Sequence, residues 1–209
     1  MNKKYDYVPK NEVKPYREIF QEWMKCIRKT LKEEGISFTY VLVGSAKRNL
    51  VIRHHNKGFD CDYQIRIMKN MNNLNAKSIK MLFINELNKI VGDNGFNDCA
   101  DSTSAITIRK LGDKNNVKFS YDVVILRENA DKIEILRNSK ETGQESDYKF
   151  EALPEMTNAR KNFHKINGNT MWKLLREKYY NKQMSYKYSN KKSFQILNEA
   201  VNEVLKEFL

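Results

Sequence analysis

A chain of 209 residues is one ordinary domain with room for a small helical appendage, and it is long enough to bury a real core. Its 38 basic and 26 acidic residues leave a net charge of +12, which favours an anionic partner such as a nucleotide, a nucleic acid or an acidic surface. No apolar run approaches a membrane span and residues 1–10 lack the apolar stretch of a signal peptide, so a cytoplasmic protein without a membrane partner is expected.

A lysine-rich solvated surface would give the same charge without any such partner. The cysteines, Cys26, Cys61 and Cys99, show no paired spacing and no zinc motif. Cys26 falls on a helical apolar face and Cys61 on the buried side of a strand, so they read as reduced core residues.

Residues 1–10 are polar and read as a loosely held arm. In residues 11–34, Val13, Tyr16, Ile19, Phe20, Trp23, Met24, Ile27 and Leu31 recur at helical spacing, with Gly35 as a stop. Residues 38–43 read as the first core strand, running directly into Gly44 and Ser45. In residues 59–67 the odd positions are Phe59, Cys61, Tyr63, Ile65 and Ile67; the even ones are Asp60, Asp62, Gln64 and Arg66. That period of two predicts a half-buried strand with both aspartates on one face.

A polar loop over 69–75 leads to a helix over 76–91. Its apolar face is Ile79, Leu82, Phe83, Leu87, Ile90 and Val91, and Gly92 follows as a stop. Residues 103–111, the turn 112–116 and residues 117–126 read as a hairpin. Residues 132–136 suggest a short strand, 137–146 a loop, and 148–153 a last strand ended by Pro154. Helices follow over 170–182, with Met171, Leu174, Leu175 and Tyr179, and over 193–209, with Phe194, Leu197, Val201, Val204, Leu205 and Phe208. Strands in the middle and helices at both ends predict an α+β fold rather than a repeated β-α-β pattern.

Asp60 and Asp62 repel each other unless something positive lies between them, and a hard divalent cation is the usual answer. Charge on a solvent-facing strand position is the plainer reading of an isolated Asp-x-Asp. Against it, aspartate is a poor strand former and the other face of this strand is aromatic and apolar. Gly44 and Ser45 read alone as an ordinary turn; after a strand they also leave N–H groups and a hydroxyl that can cradle a phosphate. Lys47, Arg48, Arg53 and Lys57 lie between that turn and the aspartates, facing either a triphosphate or solvent. Asp122 interrupts an apolar strand, where a lone carboxylate is costly unless a metal or a buried salt bridge compensates it. Asp113 and Asp131 are weaker candidates, and Asp101 reads as a turn residue. His54, His55, Asn49 and Gln64 are open between a site role and ordinary surface. No Gly-x-x-x-x-Gly-Lys occurs, and no serine or cysteine hydrolase pattern.

Together Val41-Leu42-Val43-Gly44-Ser45, Asp60-Cys61-Asp62 and Asp122 resemble the signature of the nucleotidyltransferase superfamily typified by DNA polymerase beta. The long helix before the first strand is similar to the oligoadenylate synthetase and cyclic GMP–AMP synthase branch. Residues 11–126 carry the resemblance. The 14-residue spacer between Ser45 and Asp60 is slightly long, and the 87 residues after Asp122 are fewer than the helical lobe of full-length members of that branch.

The expected organisation is an arm over 1–10, a catalytic domain over 11–153 whose nucleotidyltransferase-like mixed β-sheet flanked by helices the resemblance implies, and a small C-terminal helical region over 154–209 packed on it. The resemblance implies Mg²⁺ or Mn²⁺ at Asp60, Asp62 and Asp122, and transfer of NMP from an NTP to a hydroxyl of RNA, a nucleotide, a small molecule or a protein, with release of pyrophosphate. Gly44 and Ser45 would contact the β and γ phosphates; Lys47 and Arg48, by their place between the turn and the aspartates, and Lys173 and Arg176, by charge and position alone, are further candidates to bind the triphosphate. The competing expectation is a non-catalytic nucleic-acid-binding module on the same fold, served by the charge and by Tyr179, Tyr180 and Tyr188 as stacking surfaces. A metal-dependent nuclease is a third.

Overall fold

A computed structural model of the chain describes residues 5–54, 58–130, 132–139, 147–153, 162–185, 191 and 193–208. Two compact units divide the chain, Met1–Leu153 and Pro154–Leu209.

The first unit is built on helix α1 (Lys10–Glu33), whose buried stripe is Val13, Phe20, Trp23, Met24, Ile27 and Leu31. Gly35 stands beyond its end at φ 72°, the left-handed conformation that lets the chain reverse. Strand β2 (Ile36–Leu42) returns, a single helical turn α2 (Gly44–Lys47) follows, and β3 (Ile52–His54) leads to the long strand β4 (Phe59–Asn70). Helix α3 (Ala76–Asn88) is capped by Asn75, whose side chain accepts from the Ser78 N–H at 2.8 Å. Strands β5 (Ala100–Asp101), β6 (Ile106–Leu111), β7 (Val117–Asn129), β8 (Lys132–Ser139) and β9 (Asp147–Ala152) complete the unit.

The main sheet runs in the order β2-β4-β7-β6-β5, and β8 pairs with the far end of β7 and with β9. β4 and β7 lie parallel, while the other pairs are antiparallel. The fold is therefore α+β with a mixed sheet. One face of β4 and β7 presents Cys61, Tyr63, Ile65, Phe119, Tyr121, Val123 and Ile125 to the core. Aromatic rings of α1 close on it: Phe20 stacks on Tyr63 at 3.7 Å between centroids, and Tyr16 on Phe119 at 3.8 Å. The Tyr121 hydroxyl donates to the Tyr16 carbonyl at 2.6 Å, satisfying a fully buried phenol. With that face committed to the core, the even positions of β4 and β7 are left for the site.

Several sequence expectations change. Within the arm, β1 (Tyr5–Tyr7) pairs with β3 and Val8 is buried, so residues 5–8 are tied down by backbone hydrogen bonds. The second helix stops at Asn88, and Gly92 opens a 3₁₀ turn rather than closing the helix. Arg137, Asn138 and Ser139, read as loop, extend β8 by pairing with β9. Cys26 is exposed, because it lies about 120° round α1 from the middle of the buried stripe at 100° per residue. Cys61 is buried and Cys99 half-buried.

The second unit contains α4 (Gly168–Ser185) and α5 (Ser193–Phe208). Leu175 and Tyr179 of α4 are buried, as are Ile196, Leu197, Ala200, Val201, Val204 and Leu205 of α5. Lys178 pairs with Glu207 at 2.5 Å and Lys182 with Glu203 at 2.6 Å. Phe194 and Phe208, read as part of the apolar stripe, are exposed at the ends of α5.

Candidate active site

β4 carries Asp60 and Asp62, and the parallel register sets Asp62 beside Asp122 and Asp60 beside Ser120 of β7. Side chains level with each other on neighbouring strands share a face about 4.8 Å apart. One oxygen from each of Asp60, Asp62 and Asp122 can be chosen so that all lie within 4.8 Å of one another. Asp60 is exposed, and Asp62 and Asp122 are half-buried.

The approach from β2 completes the site. The Val43 N–H donates to the Asp62 carbonyl at 2.8 Å and carries the β2–β4 ladder up to Gly44. Gly44 has φ 65°, and a Cβ there would stand 2.0 Å from Asp62 Oδ2. Only glycine admits both that conformation and that contact. Gly44 and Ser45 start α2, whose first backbone bond runs from the Lys47 N–H to the Val43 carbonyl at 3.4 Å. The N–H groups of Gly44, Ser45 and Ala46 precede that bond and belong to the open end of the turn.

The electrostatics are those of a crowded anionic cluster. Partial removal from water pushes the Asp62 carboxyl up to about 6, with the charges of Asp60 and Asp122 adding to it. Asp60 is raised by the same loss of water first and by Asp122 second. Among the described residues none of the three forms an ion pair. The donor set among the described residues is entirely carboxylate oxygen, which suits a hard cation such as Mg²⁺ or Mn²⁺. A divalent cation would offset the repulsion that adds to both shifts.

Among the described residues no basic side chain compensates Asp122, one of the two alternatives its sequence left open. Thr107 of β6 donates to Asp122 Oδ1 at 2.6 Å across the β6–β7 pair. Of the basic residues before β4, Lys47 is exposed on α2, and Arg48 donates to the Gly44 carbonyl at 3.0 Å, bracing the turn. Arg53 is held by Glu12 through both its terminal nitrogens, so it serves α1 and β3 rather than a phosphate. Asn49 closes α2 at φ 53°, and Gln64 follows Asp62 on the same face of β4. His55, Lys57, Asp131 and Tyr188 and the side chain of His54 lie outside the described residues.

Asp101 is not a turn residue. It sits in β5, paired with the buried Lys80 at 2.6 Å, and its other oxygen accepts from Asn138 at 2.8 Å and Tyr148 at 2.6 Å. Lys173 is exposed and Arg176 half-buried on α4 of the second unit. Tyr179 is buried there, which removes it as a surface on which a base could stack.

No protein-family model matches the sequence, and no curated protein does. Solved structures do match. DncV of Vibrio cholerae with 3'-deoxy ATP bound superposes with a TM-score of 0.64 at 13% identity, over 96% of this chain and 68% of that one. DncV of Escherichia coli with 3'-deoxy GTP bound gives 0.62 at 10% identity, over 97% and 70%. The fold is that of DncV. The GTP-bound V. cholerae structure gives a TM-score of 0.61 at 13% identity, and the present chain spans 66% of the length of that DncV chain. At these identities the likeness to DncV is one of fold, the nucleotidyltransferase fold that the Gly-Ser and Asp-x-Asp segments predict. No helix among the described residues is long and apolar enough to cross a membrane.

Proposed function

We propose that this protein is a metal-dependent nucleotidyltransferase that moves NMP from an NTP to an acceptor hydroxyl and releases pyrophosphate. The convergence of Asp60, Asp62 and Asp122 beside Gly44 and Ser45 carries the reading. Mg²⁺ or Mn²⁺ held by the three carboxylates, as one ion or two, would offset the triphosphate charge and lower the pKa of the attacking hydroxyl.

The chain's own residues supply the rest. Asp60 and Asp62 bind on the nucleotide side, next to α2. The N–H groups of Gly44 and Ser45 and the Ser45 hydroxyl offer donors to the β and γ phosphates. Asp122 serves the acceptor side and takes the proton of the attacking hydroxyl. The hydroxyl oxygen bonds to the α-phosphorus, the bond from that phosphorus to the bridging oxygen breaks, and pyrophosphate leaves with the electron pair. Lys47 and Arg48 flank the turn, Arg48 through its hold on the Gly44 carbonyl. We extend the proposal to Lys173 and Arg176 on their charge alone; their alanine variants should raise the apparent KM for the NTP.

For the acceptor, a second nucleotide is the favoured class. V. cholerae DncV is a cyclic AMP-GMP synthase whose structures include a complex with the linear intermediate pppA(3',5')pG. RNA is the comparison arm. Each α-labelled NTP, alone and in pairs, is incubated with Mg²⁺ or Mn²⁺, with and without RNA. Labelled product with matching pyrophosphate, lost in Asp60→Ala and Asp62→Ala, is the expected result. Salt-sensitive RNA binding with no product from any NTP would replace the transferase with the binding module.

A further inference from the structure

We propose that Thr107 is a positioning residue for Asp122, holding its carboxylate in the orientation in which it ligates a divalent cation. The inference rests on reading the three aspartates as a metal site.

Thr107 is almost fully buried and is the register partner of Asp122. An ionised carboxylate only accepts, so the one hydroxyl proton of Thr107 is spent on Asp122 Oδ1 at 2.6 Å. That fixes the next contact. Ser102 Oγ stands 3.1 Å from Thr107 Oγ1, and with the threonine proton already committed, Ser102 must be the donor.

Ser102 is itself held twice through its backbone. Its N–H donates to the Ala105 carbonyl at 3.0 Å, and its carbonyl accepts from Lys80 Nζ at 2.6 Å. Lys80 is 1% exposed and ion-paired with Asp101, which Asn138 and Tyr148 also hold. A directed relay therefore runs from a buried ion pair between α3 and β5, through two hydroxyls, to one oxygen of Asp122. The other oxygen is left to the site. Partners of this kind behind a ligating carboxylate fix its direction, and their loss weakens metal binding.

The test compares Mn²⁺ affinity, by calorimetric titration of the whole chain, in wild type, Thr107→Val and Thr107→Ser. Valine keeps the shape and removes the donor; serine keeps the donor. Valine should weaken Mn²⁺ binding about 10- to 100-fold, and serine should restore most of it. Wild-type affinity in folded Thr107→Val overturns the proposal, as does an equal loss in both variants. If Thr107→Val does not fold, Ser102→Ala decides: weaker binding supports the relay and unchanged binding overturns it. A wild type that binds no Mn²⁺ removes the metal-site reading itself, a failure distinct from that of Thr107.

Discussion

Gly44 stands so close to Asp62 that a methyl group on its Cα would lie 2.0 Å from the carboxylate oxygen. The turn and the acidic strand are therefore a fitted pair. Gly44→Ala should strain a backbone at φ 65°, costing about 1–2 kcal/mol, and displace Asp62 as well. Thermal unfolding and Mn²⁺ titration should both register the change, whereas Ser45→Ala should leave stability near wild type and affect nucleotide binding alone.

The raised Asp62 carboxyl has a stability consequence of definite sign. Its folded-state value, about 6, lies above the ordinary 3.8, so between those values the folded chain binds more protons than the unfolded one. This group's contribution to stability is lost as pH rises through that window. Without metal, Asp62→Asn should gain on wild type as pH goes from 4 to 7, with a Tm advantage of about 2–4 °C at the upper end, the shift that about 1 kcal/mol brings to a domain of this size. Added Mg²⁺ should close the gap by stabilising wild type only. A pH series of melting curves, with and without Mg²⁺, reads both effects.

Lys80 and Asp101 form a buried ion pair, with Lys80 1% exposed. Lys80→Met leaves the Asp101 carboxylate without its counter-charge and should cost about 3–5 kcal/mol. Urea unfolding followed by tryptophan fluorescence measures it, and the double variant Lys80→Met with Asp101→Leu should recover part of the loss.

Arg53 is a control in the opposite direction. Its partner is Glu12, and the pair lies partly buried near the surface. Arg53→Ala should change stability by less than about 1 kcal/mol and leave the KM for the NTP unaltered. A marked rise in KM would return this residue to the triphosphate.

The pattern of β4 could be read directly, because a period of two puts Asp60 and Asp62 on one face whatever the neighbouring strand does. Pairing with Asp122 was suggested by residue type and motif, but its register comes from the parallel β4–β7 contact, which no local pattern specifies. Thr107 was hidden for a sharper reason. The hairpin carries an irregularity between Lys110 and Leu111. Extended without it, the Leu111–Val117 pairing would set Thr107 opposite Tyr121, on the other face of the sheet. Lys80 and Asp101 come together only through the packing of α3 against the sheet. A lysine in an amphipathic helix ordinarily reads as its solvent side.

The central claim is that Asp60, Asp62 and Asp122 together hold a divalent cation, and Mn²⁺ titration of the whole chain tests it most directly. Wild type should bind Mn²⁺ with an affinity that rises as pH passes about 6, where Asp62 gives up its proton. Asp60→Ala, Asp62→Ala and Asp122→Ala should each abolish or greatly weaken that binding. Equal Mn²⁺ binding by wild type and all three variants, or none by wild type at neutral pH, would contradict the account and leave the carboxylates as surface charge.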